Sequence, residues 1–276
     1  MKTNAIEFVL CSAVIAIIAA GCASSAPNKN VTASPPPPSP SEEVSSAPAA
    51  QQQQPIHPET DRLLRAASAT LAGAKYMSFK AEMWDEELVD THKIAATKHM
   101  QLQVRHPDGL QMEWQSPKRT RGWWYDGKSI TMLDRLTNLY AMGDMPDTIE
   151  EGLDALTDDY GVTLPLDDLL LADPYASIMS AITGGAYFGK LTTLGVACHH
   201  IGYSTANVDV QLWVEDNARA LPRKIVITYK LEEAQPQFTA ILSDWVLDKD
   251  IPDGVFAFIP PAGSAKIEML PAKTDQ

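Results

Sequence analysis

Cysteine is scarce in this chain of 276 residues, which has only three. Cys11 lies within an N-terminal apolar stretch, Cys22 directly follows that stretch, and Cys198 lies far downstream. If the N-terminal segment is removed and Cys22 carries a lipid, Cys198 is the only thiol left. The mature chain then cannot form an internal disulfide. This is compatible with export, because an oxidising compartment permits disulfides without requiring them.

Positive charge is also in short supply. Lys and Arg number 22 against 35 Asp and Glu, which gives a net charge of −13, and no cluster of Lys and Arg stands against it. An acidic surface repels phosphate backbones, so we expect no nucleic-acid partner. The same charge argues against peripheral binding to anionic lipids. Attachment to a membrane would therefore have to come from another part of the chain.

Recognisable catalytic motifs are missing, including a serine nucleophile elbow, a zinc-protease helix and a dinucleotide glycine motif. Cys198-His199-His200 could in principle bind zinc or form a nucleophile–base pair. On a strand, however, Cys198 and His200 share one face while His199 points the other way. We interpret them as packed strand residues and predict no enzyme, no metal and no cofactor. An enzyme that depends on Cys198 and His200 is the least favoured alternative.

Two acidic pairs, Asp158-Asp159 and Asp167-Asp168, do not follow the spacing of a known calcium loop. We interpret both pairs as the solvated sides of helices.

The N-terminus has the pattern of a lipoprotein signal peptide. Lys2 supplies a positive charge, residues 8–20 are mostly apolar, and Ala19-Ala20-Gly21 precede Cys22. We therefore predict a signal peptide over residues 1–21 and lipid attachment at Cys22, where two or three acyl chains would give stable anchoring. Lipoprotein signal peptides usually have Leu three residues before the cysteine, whereas this chain has Ala19. The alternative is therefore a soluble periplasmic or secreted protein that is cut at residues 23–26. Residue 23 is not Asp, and by resemblance to Gram-negative lipoproteins this implies the outer membrane, facing the periplasm.

Residues 22–57 are rich in Pro, Ser, Ala and Gln, with four prolines at 35–38 and four glutamines at 51–54. Such a composition cannot bury a core, so we predict a disordered tether. A chain of this length would hold the following domain on the order of 30 Å or more from the membrane. Residues 58–276 are then predicted to form a single domain.

Hydrophobic periodicity predicts the order of elements in that domain. A helix is expected over residues 58–76, with Pro58 in its first turn and Gly73 at its end. A central helical region is expected over 146–182, where Asp147 and Glu150 resemble a helix-capping pair. Apolar and polar residues alternate on both sides of this region, and residues 191–203 and 255–259 are among the predicted strands. One curved antiparallel sheet with helices on its concave face satisfies this order best.

The C-terminal half carries a family resemblance. Five segments carry it: GVACHHI from Gly195, VDVQLWVE from Val208, LPRKIVIT from Leu221, PQFTAILSDW from Pro236 and FIPPAGSAKI from Phe258. Residues 60–270 resemble a bacterial family of predicted periplasmic proteins of unknown function, within the lipoprotein-localisation-factor superfamily that includes the LolA, LolB and RseB types. The resemblance implies an α+β fold, an unclosed antiparallel β half-barrel of about 10–11 strands with helices on its concave face.

The resemblance also implies a hydrophobic cavity, because members of the wider superfamily bind acyl chains or lipoprotein-derived ligands. It carries over no catalytic residue. Candidate lining residues are Trp114, Trp123, Trp124, Leu169, Leu170, Ile178, Met179, Tyr187 and Phe188. We expect a periplasm-facing, lipid-anchored protein that binds an acyl chain, a lipid or a lipoprotein segment. In the alternative, these side chains fill the core and the protein is a tethered envelope scaffold or regulator that binds a protein partner.

Overall fold

A computed structural model describes residues 55–272, which fall within one compact unit. The predicted signal peptide, Cys22 and residues 23–54 of the predicted tether lie outside the described residues, as do residues 273–276. Within the described residues, no helix combines the length and the apolar character needed to cross a membrane.

The described chain contains three α-helices and twelve strands. The helices are α1 (Pro58–Gly73), α2 (Ile149–Tyr160) and α3 (Pro174–Ala181), with short 3-10 turns at Asp167–Leu170 and Asp253–Val255. The strands are β1 (Tyr76–Val89), β2 (His92–Arg105), β3 (Gly109–Gln115), β4 (Thr120–Tyr125), β5 (Ser129–Asp134), β6 (Leu139–Asp144), β7 (Gly184–Thr193), β8 (Val196–Ser204), β9 (Val208–Glu215), β10 (Pro222–Tyr229), β11 (Gln237–Leu247) and β12 (Ala265–Ile267).

All twelve strands form one sheet in the order β12-β6-β5-β4-β3-β2-β1-β11-β10-β9-β8-β7. Neighbouring strands are antiparallel except for β12, which pairs parallel to β6. The sheet does not close, because β12 and β7 form its two edges. The predicted α+β fold, an unclosed half-barrel with helices on one face, is confirmed. The sheet has twelve strands, one more than the 10–11 predicted, because it includes the short strand β12.

Two predicted strands differ from the structure. The run predicted over 191–203 is a hairpin, because Leu194 and Gly195 both have positive φ and form a two-residue turn between β7 and β8. The strand predicted over 255–259 is wrong: Val255 ends the 3-10 turn Asp253–Val255, and residues 256–259 belong to no strand. The alternation of apolar and polar residues does not reveal these two short turns, because each turn interrupts an apolar stretch without changing its amino-acid composition.

The core lies between the helices and the concave face of the sheet. α1 contributes Leu63, Leu64 and Leu71, and α2 contributes Leu153 and Leu156, all of them buried. They belong to the same buried cluster as the inward residues of β1 to β5 and β8 to β11. Each fully buried leucine stabilises the fold by about 1.5–3 kcal/mol. This packing fixes the helices on the concave face, as predicted.

The ends of α2 show how local chemistry sets its bounds. Thr148, not Asp147, is the N-cap: its Oγ1 accepts a hydrogen bond from the Glu151 amide at 3.3 Å and donates to the Glu151 carboxylate at 3.1 Å. This side-chain cap lies one residue later than the sequence pattern suggested. Gly161 ends the helix at φ +64°, a conformation that favours glycine.

Contacts to the fold begin before Pro58. Ile56 forms a parallel bridge with Gly185 of β7, and the His57 amide donates to the Gly185 carbonyl at 2.9 Å. The imidazole of His57 accepts a hydrogen bond from the Glu59 amide and so caps α1. The segment that leads into the domain therefore attaches to the edge strand β7.

Candidate functional site

Helix α3 packs against the concave core but buries little of its own surface. Pro174 begins the helix and the Asp173 side chain caps it, accepting from the Ala176 amide. The helix is apolar, yet Pro174 is its only buried residue, and Ile178 and Met179 remain half-buried. A short apolar helix that buries so little leaves apolar surface available to a ligand.

Polar contacts hold α3 in place. The Tyr175 amide donates to Ser68 Oγ at 2.9 Å, and the Tyr175 hydroxyl donates to Asp61 Oδ1 at 2.5 Å. Both acceptors belong to α1, which is itself packed into the core. Helix α3 packs chiefly against α1 and the 3-10 turn at Asp167–Leu170. The helix is therefore positioned from its side, and the sheet below it is less tightly covered.

The sheet presents matching half-buried apolar residues on the same face. Tyr203 of β8, Val208 of β9, and Ile227 and Tyr229 of β10 are all partly exposed and all pack against the main core. The strand register makes them neighbours, because Val210 pairs with both Tyr203 and Ile227, and Val208 pairs with Tyr229. Thr183, just after α3, donates to the Ser204 carbonyl at 2.7 Å and places the end of the helix beside this group.

We call the half-buried apolar residues of α3 and these four sheet residues together the concave site. The period-two alternation of β9 and β10 was visible in the sequence, but it did not show which strands lie under the helix.

Two carboxyl groups flank the concave site in the 3-10 turn before α3. Burial, with a further contribution from the neighbouring Asp168 charge, raises the pKa of Asp167 to about 7. Burial also raises the pKa of Asp168, and burial together with the Asp168 charge raises the pKa of the Tyr203 phenol. Asp168 is exposed and Asp167 is half-buried. The interpretation as solvated residues therefore fits Asp168, whereas Asp167 is partly enclosed by the protein.

The predicted aromatic residues divide between the two faces of the sheet. Trp123 is buried in the concave core, and Trp114 is half-buried on the same face with the Lys98 ammonium 5.9 Å from its ring. Trp124 follows Trp123 on β4 and so lies on the convex face, where its ring packs 5.1 Å from Phe258. Phe188 is 60% exposed, also on the convex face. The prediction that Trp124 and Phe188 line the cavity therefore needs correction, because consecutive strand residues alternate in direction.

The remaining predicted residues lie on the concave side. Leu170 is buried in the core, while Leu169 and Ile178 pack against it and remain half-buried. Met179 is half-buried on α3. Tyr187 also points to the concave side but reaches a separate, more polar cleft. The structure therefore brings Ile178 together with the concave site, but it places Trp123 and Leu170 in packed core.

The polar cleft lies at the β7 edge and has a volume of about 530 Å³. Residues of α1, β7, β8 and the β9–β10 turn line it, and His199 lies at its base, 6% exposed. His199 Nδ1 lies 3.0 Å from the Tyr187 hydroxyl, and His199 Nε2 lies 2.8 Å from Asp216 Oδ1. Lys190 Nζ donates to the other Asp216 oxygen at 2.7 Å. The hydrogen bonds from Lys190 and His199 lower the pKa of Asp216.

Sequence reasoning found His199 but missed Tyr187 and Asp216 as its partners, since they come from different strands. With both ring nitrogens engaged, His199 is held in a fixed orientation.

Cys198 and His200 lie on the opposite, convex face, as the strand geometry predicted. His200 stacks on Trp213 with ring centroids 4.1 Å apart, and burial together with the nearby Lys224 lowers its pKa. Cys198 is fully buried beside Trp213 and Val226, and burial raises the pKa of its thiol. Within residues 55–272, no three His, Cys, Asp or Glu side chains are grouped to hold a metal ion.

Fold and site together define a half-barrel protein with a partial helical cover over its concave face. The chain belongs to the family described as "Predicted periplasmic protein (DUF2092)", whose model matches residues 60–270. The family resemblance read from the C-terminal segments is therefore confirmed. None of the curated proteins matches the chain.

Several solved structures show a distant likeness in fold. An uncharacterised conserved protein from Thermus thermophilus is 8% identical with a TM-score of 0.43, covering 76% of this chain and 99% of that one. Lipoprotein LppX from Mycobacterium tuberculosis is 13% identical with a TM-score of 0.43, covering 71% and 98%. A LolA superfamily protein from Nitrosomonas europaea is 10% identical with a TM-score of 0.36, covering 71% and 96%. Likenesses this distant assign no function.

Proposed function

We propose that this protein is a lipid-anchored, periplasm-facing binding protein that holds an acyl chain or similar hydrophobic segment in the concave site. One observation carries the proposal: the apolar helix α3 and the concave face of β8 to β10 both keep apolar residues half-buried. Folding buries apolar residues wherever it can, so half-buried apolar groups on a helix and on a sheet face of the same core favour an apolar ligand. The proposal assigns no catalytic step.

The polarity of the concave site fits a chain-like ligand with a polar end. Ile178, Ile227 and Val208 supply apolar wall, and the phenols of Tyr203 and Tyr229 supply hydroxyl groups beside it. Apolar pockets with a few polar groups are the usual form of small-molecule sites. The Asp167 and Asp168 carboxyl groups at the margin disfavour an anionic headgroup at neutral pH. A neutral or cationic head is therefore expected to point toward them.

The ligand test uses the exported chain, examined for co-purifying lipid by mass spectrometry and for uptake of a fluorescent fatty-acid analogue with a neutral head. Ile178→Glu places a carboxylate in the concave site and should weaken uptake at least tenfold, because burying an unpaired charge costs several kcal/mol. Leu231→Glu, at a residue that is 76% exposed, is the matched control and should bind like the unmodified chain. An unmodified chain with neither bound lipid nor uptake would refute the proposal, as would uptake that Ile178→Glu leaves unchanged.

The anchor requires its own test, since Cys22 lies outside the described residues. We propose that Cys22 carries the lipid and that the mature protein resides in the outer membrane. Cells labelled with radioactive palmitate should incorporate label into the chain, and Cys22→Ser should abolish it. Membrane fractionation should find the labelled chain with the outer membrane. A chain without label, or found in the soluble periplasm, would exclude this part of the proposal.

One observation favours the second candidate, an envelope scaffold that binds a protein partner. The pairing of β1 with β11 ends at Asp85, and the pairing of β2 with β3 ends at His99. The residues between these two points pair only with each other and form a two-stranded arm. The arm exposes Leu88 (39%), Val89 (47%) and Ile94 (52%). A photo-crosslinker at position 94 should then trap one defined envelope protein in cells. An equal pattern from a crosslinker at position 231 would remove the support for this candidate.

A further inference from the structure

The β7–β8 hairpin carries an apolar patch on the outside of the fold. Phe188 is 60% exposed, Leu191 is 46% exposed and Leu194 is 56% exposed. Leu191 pairs with Cys198 on the convex face, Phe188 packs against His200 on the same face, and Leu194 lies at the tip of the hairpin. Clustered exposed apolar side chains of this kind mark sites of contact with a protein or a membrane. We call these three residues the edge patch.

Leu194 occupies a position that its backbone disfavours. It has φ +51° in a two-residue turn where Asn, Asp or Gly is the usual choice. The side chain gains no burial in return. An unfavourable conformation that also exposes a large apolar group needs a reason outside the packing of the fold. Contact with an apolar phase is such a reason.

The surroundings of the edge patch are cationic, in contrast to the chain as a whole. On the convex face, Lys224 Nζ lies 4.6 Å from the Trp213 ring, which stacks on His200. Arg219 and Arg223 pair there with Glu215, the register partner of Cys198, so three cations stand against one carboxylate. The local charge is therefore +2, whereas the net charge is −13. The Arg219 side chain is 51% exposed although it pairs with Glu215, whereas Lys190 bonds to Asp216 on the concave side and takes no part in the patch. Apolar groups beside outward-reaching cations are the combination that binds anionic lipid surfaces.

The projecting arm of β1 and β2 makes a useful contrast. It also exposes three apolar residues, but four carboxylates lie along it, Asp85, Glu86, Glu87 and Asp90, against Lys93 and Lys98. Its local charge of −2 would repel an anionic bilayer. Of these two exposed apolar groups, the edge patch is the one whose charge matches a membrane.

We propose that the edge patch docks the folded domain directly onto an anionic lipid bilayer, as a membrane contact separate from the lipid anchor.

The test uses the chain produced without its first 22 residues, which lacks Cys22 and keeps every residue that the structure describes. Flotation is measured with vesicles of phosphatidylethanolamine and phosphatidylglycerol, with pure phosphatidylcholine vesicles for comparison. The chain should float with the anionic vesicles, less with the neutral ones, and less at high salt. Leu194→Asn should lower the partition coefficient about tenfold, since it removes a large apolar side chain from the contact.

The controls separate docking from folding and from ligand binding. Leu194→Asn suits the turn better than Leu, so it should unfold at an equal or higher temperature, and loss of structure cannot explain lost flotation. Leu231→Asn removes an exposed leucine elsewhere and should float normally. Ile178→Glu, which disables the concave site, should also float normally. Leu194→Asn should take up the fluorescent fatty-acid analogue normally, so failure of the binding proposal and failure of the docking proposal are distinguishable.

Three outcomes would overturn the proposal. The first is an unmodified chain that does not float with anionic vesicles. The second is flotation that Leu194→Asn leaves unchanged. The third is a concentration-dependent dimer in analytical ultracentrifugation that Leu194→Asn abolishes, because the edge patch would then join two copies of this chain.

Discussion

Asp167→Asn offers a quantitative test of the charge environment at the concave site. The structure raises the pKa of Asp167 to about 7 from an ordinary value of 3.8, mainly through burial. Between pH 4 and pH 7 the folded state therefore holds a proton that the unfolded state releases. By linkage, the free energy of unfolding falls as the pH rises through this window and is level above it. Asparagine does not titrate, so the free energy of unfolding of Asp167→Asn does not fall for this reason as the pH rises.

The magnitude follows from the size of the shift. About three pKa units at about 1.4 kcal/mol each give a ceiling of ~4 kcal/mol. The carboxyl group keeps some contact with water, which lowers the expected value to about 1–3 kcal/mol. The substitution removes little else, because Asp167 Oδ1 accepts a hydrogen bond from the Asp168 amide at 3.0 Å and an asparagine oxygen can accept it too. Asp167→Asn should therefore be more stable than the unmodified chain at pH 8, and the gain should disappear near pH 4.

Urea unfolding followed by tryptophan fluorescence at intervals from pH 4.5 to pH 8 measures the effect. Asp158→Asn, at an exposed position on α2, removes the same charge and controls for the general benefit of making an acidic chain less acidic. Asp168→Asn should show a smaller gain at pH 8, because it removes the charge that helps to raise the pKa of Asp167. Equal pH slopes for Asp167→Asn and the unmodified chain would refute the assignment of a raised pKa to Asp167.

Three further predictions concern the core, a helix end and the buried thiol. Leu156→Ala should lower the free energy of unfolding by about 2–5 kcal/mol in urea titrations, since this side chain is fully buried between α2 and the sheet. Gly161→Ala should cost about 1 kcal/mol in the same assay because of its φ of +64°, whereas Gly73→Ala, with open space around it, should be neutral or slightly stabilising. Cys198 should react with a thiol reagent far more slowly in the native chain than in urea, since it is fully buried with a raised pKa; fast native labelling would contradict this.

Hydrophobic alternation predicted most of the sheet because burial on one face imposes the pattern directly. The alternating residues of β9 and β10 and the inward leucines of α1 were assigned from period alone. The bounds were less accurate, because caps and turns depend on one or two residues. Thr148 was passed over for Asp147 although Thr-Ile-Glu-Glu fits a capping box, and the Leu194-Gly195 turn was read as continuous strand.

The site was harder to predict than the fold, since it depends on which strands meet under the helix. Trp123 and Trp124 are adjacent in sequence, yet they point to opposite faces. Tyr187 and Phe188 are separated in the same way. The half-buried setting of Asp167 could not be read from the sequence either, because residues distant along the chain partly enclose it.

Net charge alone led to the expectation that only a lipid could hold this chain at a membrane, and the proposed docking of the edge patch would add a second contact. A charge of −13 describes the average surface, whereas docking depends on the few groups within about 10 Å of the bilayer. With the edge patch at the membrane, repulsion of the remaining acidic surface would orient the domain rather than detach it.

That orientation has a consequence for the concave site. Gly184 and Ser204 pair at the far end of the β7–β8 hairpin, ten residues from Leu194, so the concave site lies about 30 Å from the docked tip. A ligand would then enter from the periplasmic side instead of passing directly out of the bilayer. Transfer of the fluorescent fatty acid from vesicles should accordingly proceed at the same rate with Leu194→Asn as with the unmodified chain. A slower transfer with Leu194→Asn would show that the edge patch delivers ligand from the membrane.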